Sequence, residues 1–219
     1  KKENEMRKKF DQELEAVKEN LAKMGLLCEQ GIEMAIEYIE KPDQKLETSI
    51  AETEQEIDDM ERQIENQCLK LFMREQPVAS DLRAVSAAMR MISDLERIGD
   101  HAEDIAEVAK YLNEDGSPAG SMNELREMSR AASAMVRNAV EAYAKKDLDL
   151  ANQVAASDDV VDSYFEKIKS DIATQISENV ESAQHGLDSL MVAKYLERIG
   201  DHSVNLAEWV RFMITGNKY

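Results

Sequence analysis

The hexapeptide Glu-Arg-Ile-Gly-Asp-His occurs twice, at 96–101 and 197–202, with the copies 101 residues apart. A repeat at that separation makes the chain two related halves. Each copy places a Glu and an Asp four residues apart, around a Gly, within a helical pattern. Like charges at i and i+4 lie side by side on a helix and cost roughly 0.2–0.5 kcal/mol per pair. A mid-helix Gly costs roughly a further 0.5–1 kcal/mol relative to Ala. A pattern that incurs both costs twice, in the same order, points to a task beyond helix formation.

Around the repeat, apolar residues recur in steps of three and four. Phe10, Leu14, Val17, Leu21, Met24, Cys28, Gly31, Ala35 and Tyr38 make one long amphipathic seam. It stops at Lys41-Pro42, because the residue before a proline avoids the α region. A second helix is predicted over about 43–73, with its seam at Ile50, Ile57, Ile64 and Leu71. Pro77 interrupts, and a third helix follows over about 80–113. The stretch 114–120 is dense in Gly and Pro and marks the boundary between halves, 1–115 and 116–219. Helices are then predicted over about 122–146, 148–182 and 187–214, with a break near Gln184-His185-Gly186. Helices of about 30 residues are about 45 Å long. The expected fold is all-α: a tandem duplication of two elongated antiparallel three-helix bundles, of spectrin-like type.

Acidic residues number 45 against 27 basic ones, a formal charge of -18, which argues against nucleic acid or an anionic membrane surface as a direct partner. Metal cations and basic protein surfaces remain compatible. Cys28 and Cys68 stand far apart at apolar-periodic positions, so they read as small core residues. Without a disulfide framework, a reducing cytoplasmic compartment is the expectation. No apolar run approaches the ~20 residues that span a bilayer, and no secretory signal is evident.

Superposing the halves extends the repeat. Helix three carries Glu96, Asp100 and Asp104; helix six carries Glu197, Asp201 and Asn205. Each is a ladder of oxygen donors at i, i+4 and i+8. A second ladder precedes each: Glu54 and Asp58 in helix two, Asp158 and Asp162 in helix five, matched by a shift of 104 residues. All four ladders fall beside the apolar seam, so two facing ladders per bundle would converge on one groove. Carboxylates gathered there repel unless neutralised, and neither Arg nor Lys occupies a ladder position. Such donors suit Mg²⁺, Ca²⁺ and Mn²⁺, and Fe or Zn where an imidazole helps. Gly99 and Gly200 read as residues that permit close helix crossing. Arg97 and Arg198 lie within i,i+3 reach of Asp100 and Asp201, where surface salt bridging and a functional role are both open. His101 and His202 lie about 100° round from their Asp, either as packed histidines or as ligands.

The doubled hexapeptide, the preceding Gln76-Pro77-Val78-Ala79-Ser80-Asp81-Leu82-Arg83 and the opening Phe10-Asp11-Gln12-Glu13-Leu14 resemble the PhoU family, accessory proteins of bacterial phosphate-specific transport. The resemblance covers essentially the whole chain. It implies two similar three-helix bundles whose E(D)-x-x-x-D motifs bind multinuclear clusters of iron or zinc. By position these motifs fall on Glu54, Asp58, Glu96 and Asp100, and on Asp158, Asp162, Glu197 and Asp201. The third rungs are Asp104 and the neutral Asn205, so the second site would balance a smaller charge. The resemblance also implies a cytoplasmic, often dimeric, negative regulator of the phosphate-starvation response, linking the ATPase of the phosphate ABC transporter to a sensor histidine kinase. Bare carboxylates repel phosphate, so any direct phosphate contact would run through cations.

Two other classes compete. A di-iron carboxylate enzyme needs Glu-x-x-His, yet three residues after Glu96 and Glu197 stand Gly99 and Gly200. A purely structural scaffold explains the bundles and leaves the matched ladders unexplained.

Overall fold

The computed structural model describes residues 2–74, 79–112 and 121–217. Helices α1 (Lys2–Glu40), α2 (Gln44–Arg74) and α3 (Ala79–Leu112) form the first half. Helices α4 (Met122–Lys145), α5 (Leu148–Glu178) and α6 (Ala183–Thr215) form the second. Within each half all three helices pack on one another, and no strand occurs among the described residues. No helix among them is long and apolar enough to cross a membrane. The predicted half boundary at 114–120 and the Pro77 interruption lie outside the described residues.

Local chemistry sets the ends. Asp43 Oδ1 accepts from Lys45 N at 3.3 Å just before α2. The two-residue α4–α5 link places Lys146 in the left-handed region at φ 54, and Asp147 then caps α5 by accepting from Leu150 N at 2.9 Å. The break between α5 and α6 differs from expectation. It falls at Asn179, whose extended backbone ends α5, before a 3₁₀ turn over Val180–Ser182. Asn179 Oδ1 accepts from Glu181 N at 3.1 Å, which stabilises that turn. His185 and Gly186 are helical instead. Gly186 is a close-approach residue: a Cβ there would stand 2.9 Å from Ile172 Cγ2.

The predicted seams are buried, including Ile50, Ile57, Ile64 and Leu71 of α2, and both cysteines. Cys28 Sγ donates to Leu95 O at 3.2 Å. The core, however, is shared. The most extensive helix contact joins the halves, α3 against α6, and α1 packs on α4. Both pairs run antiparallel. Arg83 Nε donates to Met213 O at 3.3 Å, and His101 meets Tyr195 with ring centroids 5.6 Å apart. Glu40 pairs with Arg126 and Glu29 with Arg137 along α1 and α4. The repeats are thus related by a pseudo-two-fold axis. His101 and its counterpart His202 meet across it, with ring centroids 5.6 Å apart.

Candidate functional site: two carboxylate grooves

Each half carries one groove along its second and third helices. In the first, α2 and α3 close on each other through Gly99, where a Cβ would stand 2.9 Å from Ile57 Cδ1. That crossing sets Glu54 and Asp58 against Glu96 and Asp100. Burial, then Asp58, Glu103, Asp100 and Glu96 in turn, raise Glu54 above its ordinary value. Burial and Asp100 raise Glu96, with Glu61 and Asp58 adding to the effect against Arg97. Two carboxylates therefore join the four expected from sequence. Glu61 and Glu103 lie seven residues after Glu54 and Glu96, only about 20° round the helix. Both are themselves raised, chiefly by burial.

The third rungs sit elsewhere. At i+8 a residue has rotated about 80° from the first rung. Asp104 Oδ2 is engaged by His101 Nδ1 at 3.2 Å. Asn205 Nδ2 donates across the halves to Asp94 Oδ1 at 3.2 Å, beside His202 Nδ1 at 2.9 Å from the same oxygen. His101, His202 and Asn205 thus belong to the seam between halves. Burial holds His101 below the ordinary imidazole value, ahead of the opposing pull of Asp104.

The second groove sets Asp158 and Asp162 against Glu197 and Asp201. Gly200 leaves room for a carboxylate: a Cβ there would stand 3.0 Å from Asp158 Oδ1 and 3.3 Å from Val161 Cγ1. Asp158 Oδ1 is buried and has no hydrogen-bond partner. A buried, unpartnered carboxylate oxygen is expensive, because its charge is neither hydrated nor compensated. Burial, then Asp162 and Asp201, push Asp158 up to about 6. Burial and Glu197 raise Asp201, while Lys194 opposes them.

Cations next to the ladders reach them, Arg97 by the i,i+3 contact its spacing allows. Arg62 Nη2 pairs with Asp58 at 3.1 Å, Arg97 Nη1 with Asp100 at 2.8 Å, and Lys194 with Glu197. Arg198 stacks on Tyr195, 5.7 Å from its ring centroid, instead of pairing in the groove. Among the described residues, no three His, Cys, Asp or Glu side chains are gathered closely enough to hold a metal ion as they stand. The donor set nevertheless fits hard and borderline cations in type: carboxylate oxygens, several held above their ordinary pKa, one buried without a partner.

The raised carboxylates have a pH consequence. A group whose folded pKa exceeds its unfolded value holds more protons when folded, so stability falls as pH rises between the two values. For Asp158 that loss runs from its unfolded value near 4 to about 6. Asp158 therefore tilts the melting temperature of the metal-free protein downward between pH 5 and pH 7.5, against the opposite tilt from His101, whose pKa burial lowers. Asp158→Asn should cancel that downward tilt in the slope of a thermal scan against pH. An unchanged slope would remove Asp158 as its source.

The PhoU domain model matches residues 21–109 and 125–210. A phosphate-specific transport system accessory protein PhoU homolog of Clostridium acetobutylicum is 36% identical over 213 residues, covering 97% of both chains. PhoU homolog 1 of Thermotoga maritima is 33% identical over 207 residues, with 94% of this chain and 89% of that one covered. The crystal structure of PhoU from Pseudomonas aeruginosa superposes with a TM-score of 0.88 at 35% identity, over 95% of this chain and 100% of that one. That of the phosphate transport system regulatory protein PhoU from Streptococcus pneumoniae gives 0.87 at 26% identity, over 96% and 99%.

Proposed function

Since the chain belongs to the PhoU family, we propose that it is a metal-binding negative regulator of phosphate uptake and of the phosphate-starvation response. It acts in the cytoplasm, as a homodimer, between the ATPase of the phosphate ABC transporter and the sensor histidine kinase of that response. The names of its relatives as accessory proteins of phosphate-specific transport support the transport part of this reading. They also favour an accessory role over catalysis, as does the glycine standing where a di-iron enzyme needs histidine.

One observation carries the metal part: paired ladders face each other in both halves, and in the second Asp158 Oδ1 is buried with no partner. A bound cation supplies the positive charge that these oxygens lack. Family resemblance favours iron or zinc, and the oxygen donors also admit Mg²⁺, Mn²⁺ and Ca²⁺. The ladders lie half in solvent at the surface of each hairpin, where their charge can be read by a basic partner surface.

The test is capture of the purified transporter ATPase and of the kinase cytoplasmic domain by the metal-loaded protein. Chelation, or Asp100→Ala with Asp201→Ala, should weaken capture about tenfold, equivalent to about 1.4 kcal/mol. Undiminished capture after both treatments, with the fold intact by circular dichroism, would separate the grooves from regulation.

A further inference from the structure

The halves differ within the grooves that should match. Shifting α2 onto α5 by 104 residues places Phe165 at the position of Glu61. Shifting α3 onto α6 by 101 residues places Val204 at Glu103 and Lys194 at Ser93. In the first groove Ser93 Oγ donates to Glu61 Oε1 at 3.3 Å and adds no charge. In the second, the Lys194 ammonium pairs with Glu197 and lies 5.4 Å from the centre of the Phe165 ring. Six carboxylates thus face one another in the first groove (Glu54, Asp58, Glu61, Glu96, Asp100 and Glu103). The second has four (Asp158, Asp162, Glu197 and Asp201) and an ammonium.

The placement of Lys194 is specific. It lies three residues before Glu197 on α6, and its side chain is 40% exposed while that of Glu197 is 18% exposed. The Phe165 face supports the ammonium through a cation–π contact, an interaction carboxylate-bearing Glu61 could not offer. Lys194 contacts Glu197, and its charge is also felt by Asp201 one turn on.

We propose that Lys194 is a tethered cation that limits the second groove: it takes the place of one metal ion, so this groove binds fewer ions, and more weakly, than the first. The proposal rests on the metal-binding reading above. A cation entering the second groove must displace an ammonium already paired with Glu197. The first groove has cations of its own, Arg97 on Glu96 at 3.5 Å and Asp100 at 2.8 Å and Arg62 on Asp58, but these side chains are 60% and 62% exposed against 40% for Lys194, and with six carboxylates they leave four unbalanced where the second groove leaves three. The first groove therefore fills first, and the second exchanges its ions as free metal rises and falls.

Mn²⁺ titration of the full chain, followed by electron paramagnetic resonance of the free ion and by native mass spectrometry, tests this. The first groove is silenced by Asp58→Asn with Asp100→Asn, and Lys194→Ser is added to that background. Removing a cation from a four-carboxylate site should tighten the second groove roughly tenfold or more, or add one Mn²⁺ to its count. The reciprocal Ser93→Lys, in a background with Asp162→Asn and Asp201→Asn, should weaken the first groove or remove one ion from it. Mn²⁺ binding that Lys194→Ser leaves unchanged in affinity and count overturns the proposal and leaves the metal reading standing. No Mn²⁺ bound by the unsubstituted protein overturns both.

Discussion

Gly99→Val lowers the melting temperature by roughly 4–8 °C, the consequence of overpacking by about 2 kcal/mol in a chain of this size. Replacing a mid-helix Gly by itself favours the helix, so the loss has to come from packing. Even a Cβ at residue 99 would stand 2.9 Å from Ile57 Cδ1 and 3.2 Å from Ile57 Cγ2, and Ile57 is fully enclosed. Gly200→Val is expected to be comparably damaging for a different reason, because its first obstacle is the Asp158 carboxylate at 3.0 Å. Rescue separates the two. Ile57→Val should restore part of the stability of Gly99→Val, and Asp158→Ala part of that of Gly200→Val. Double-mutant cycles read by thermal unfolding give the coupling, and strictly additive losses would show that these contacts are not the cause.

The second large effect concerns charge. Replacing Asp58, Asp100, Asp162 and Asp201 together with Asn should abolish stoichiometric metal while raising the melting temperature of the metal-free protein. Stabilisation is the unexpected sign for removing four native residues. It follows from the repulsion among neighbouring carboxylates that adds to burial in lifting Glu54, Glu96 and Asp158 above their ordinary pKa values. Relief of several like-charge pairs at roughly 0.2–0.5 kcal/mol each outweighs loss of the exposed pairs to Arg62 and Arg97, which contribute little. A net gain of about 1 kcal/mol corresponds to roughly 2–4 °C. A metal-free variant less stable than the parent would mean that the carboxylates are held by their arginines more than they repel one another.

These two effects also separate what was legible in the chain from what was not. The doubled hexapeptide and the seams gave the duplication, the six helices and the four paired rungs, because helical periodicity survives without knowledge of tertiary contacts. Glu61 and Glu103 escaped because the motif suggests steps of four, while a groove between two long helices is followed in steps of seven. Comparison of the halves also screened them out, since Phe165 and Val204 stand opposite them. Lys194 was invisible for the same reason: a search for sameness passes over the place where the repeats diverge. Asp104 and Asn205 followed the i+8 extension of the ladder, yet the structure engages them with His101 and Asp94. The latter contact crosses between halves and leaves no trace in local spacing. The α5–α6 break was drawn to Gly186, a packing glycine, when the capping side chain of Asn179 carried the signal.

The central claim is that facing ladders in each half bind cations. Its most direct test is diffraction from crystals of the Zn²⁺-loaded protein at wavelengths on either side of the zinc absorption edge. Anomalous peaks are expected between α2 and α3, beside Glu54, Asp58, Glu96 and Asp100, and between α5 and α6, beside Asp158, Asp162, Glu197 and Asp201. Zinc found only outside both grooves, or none retained in the crystal, would contradict it.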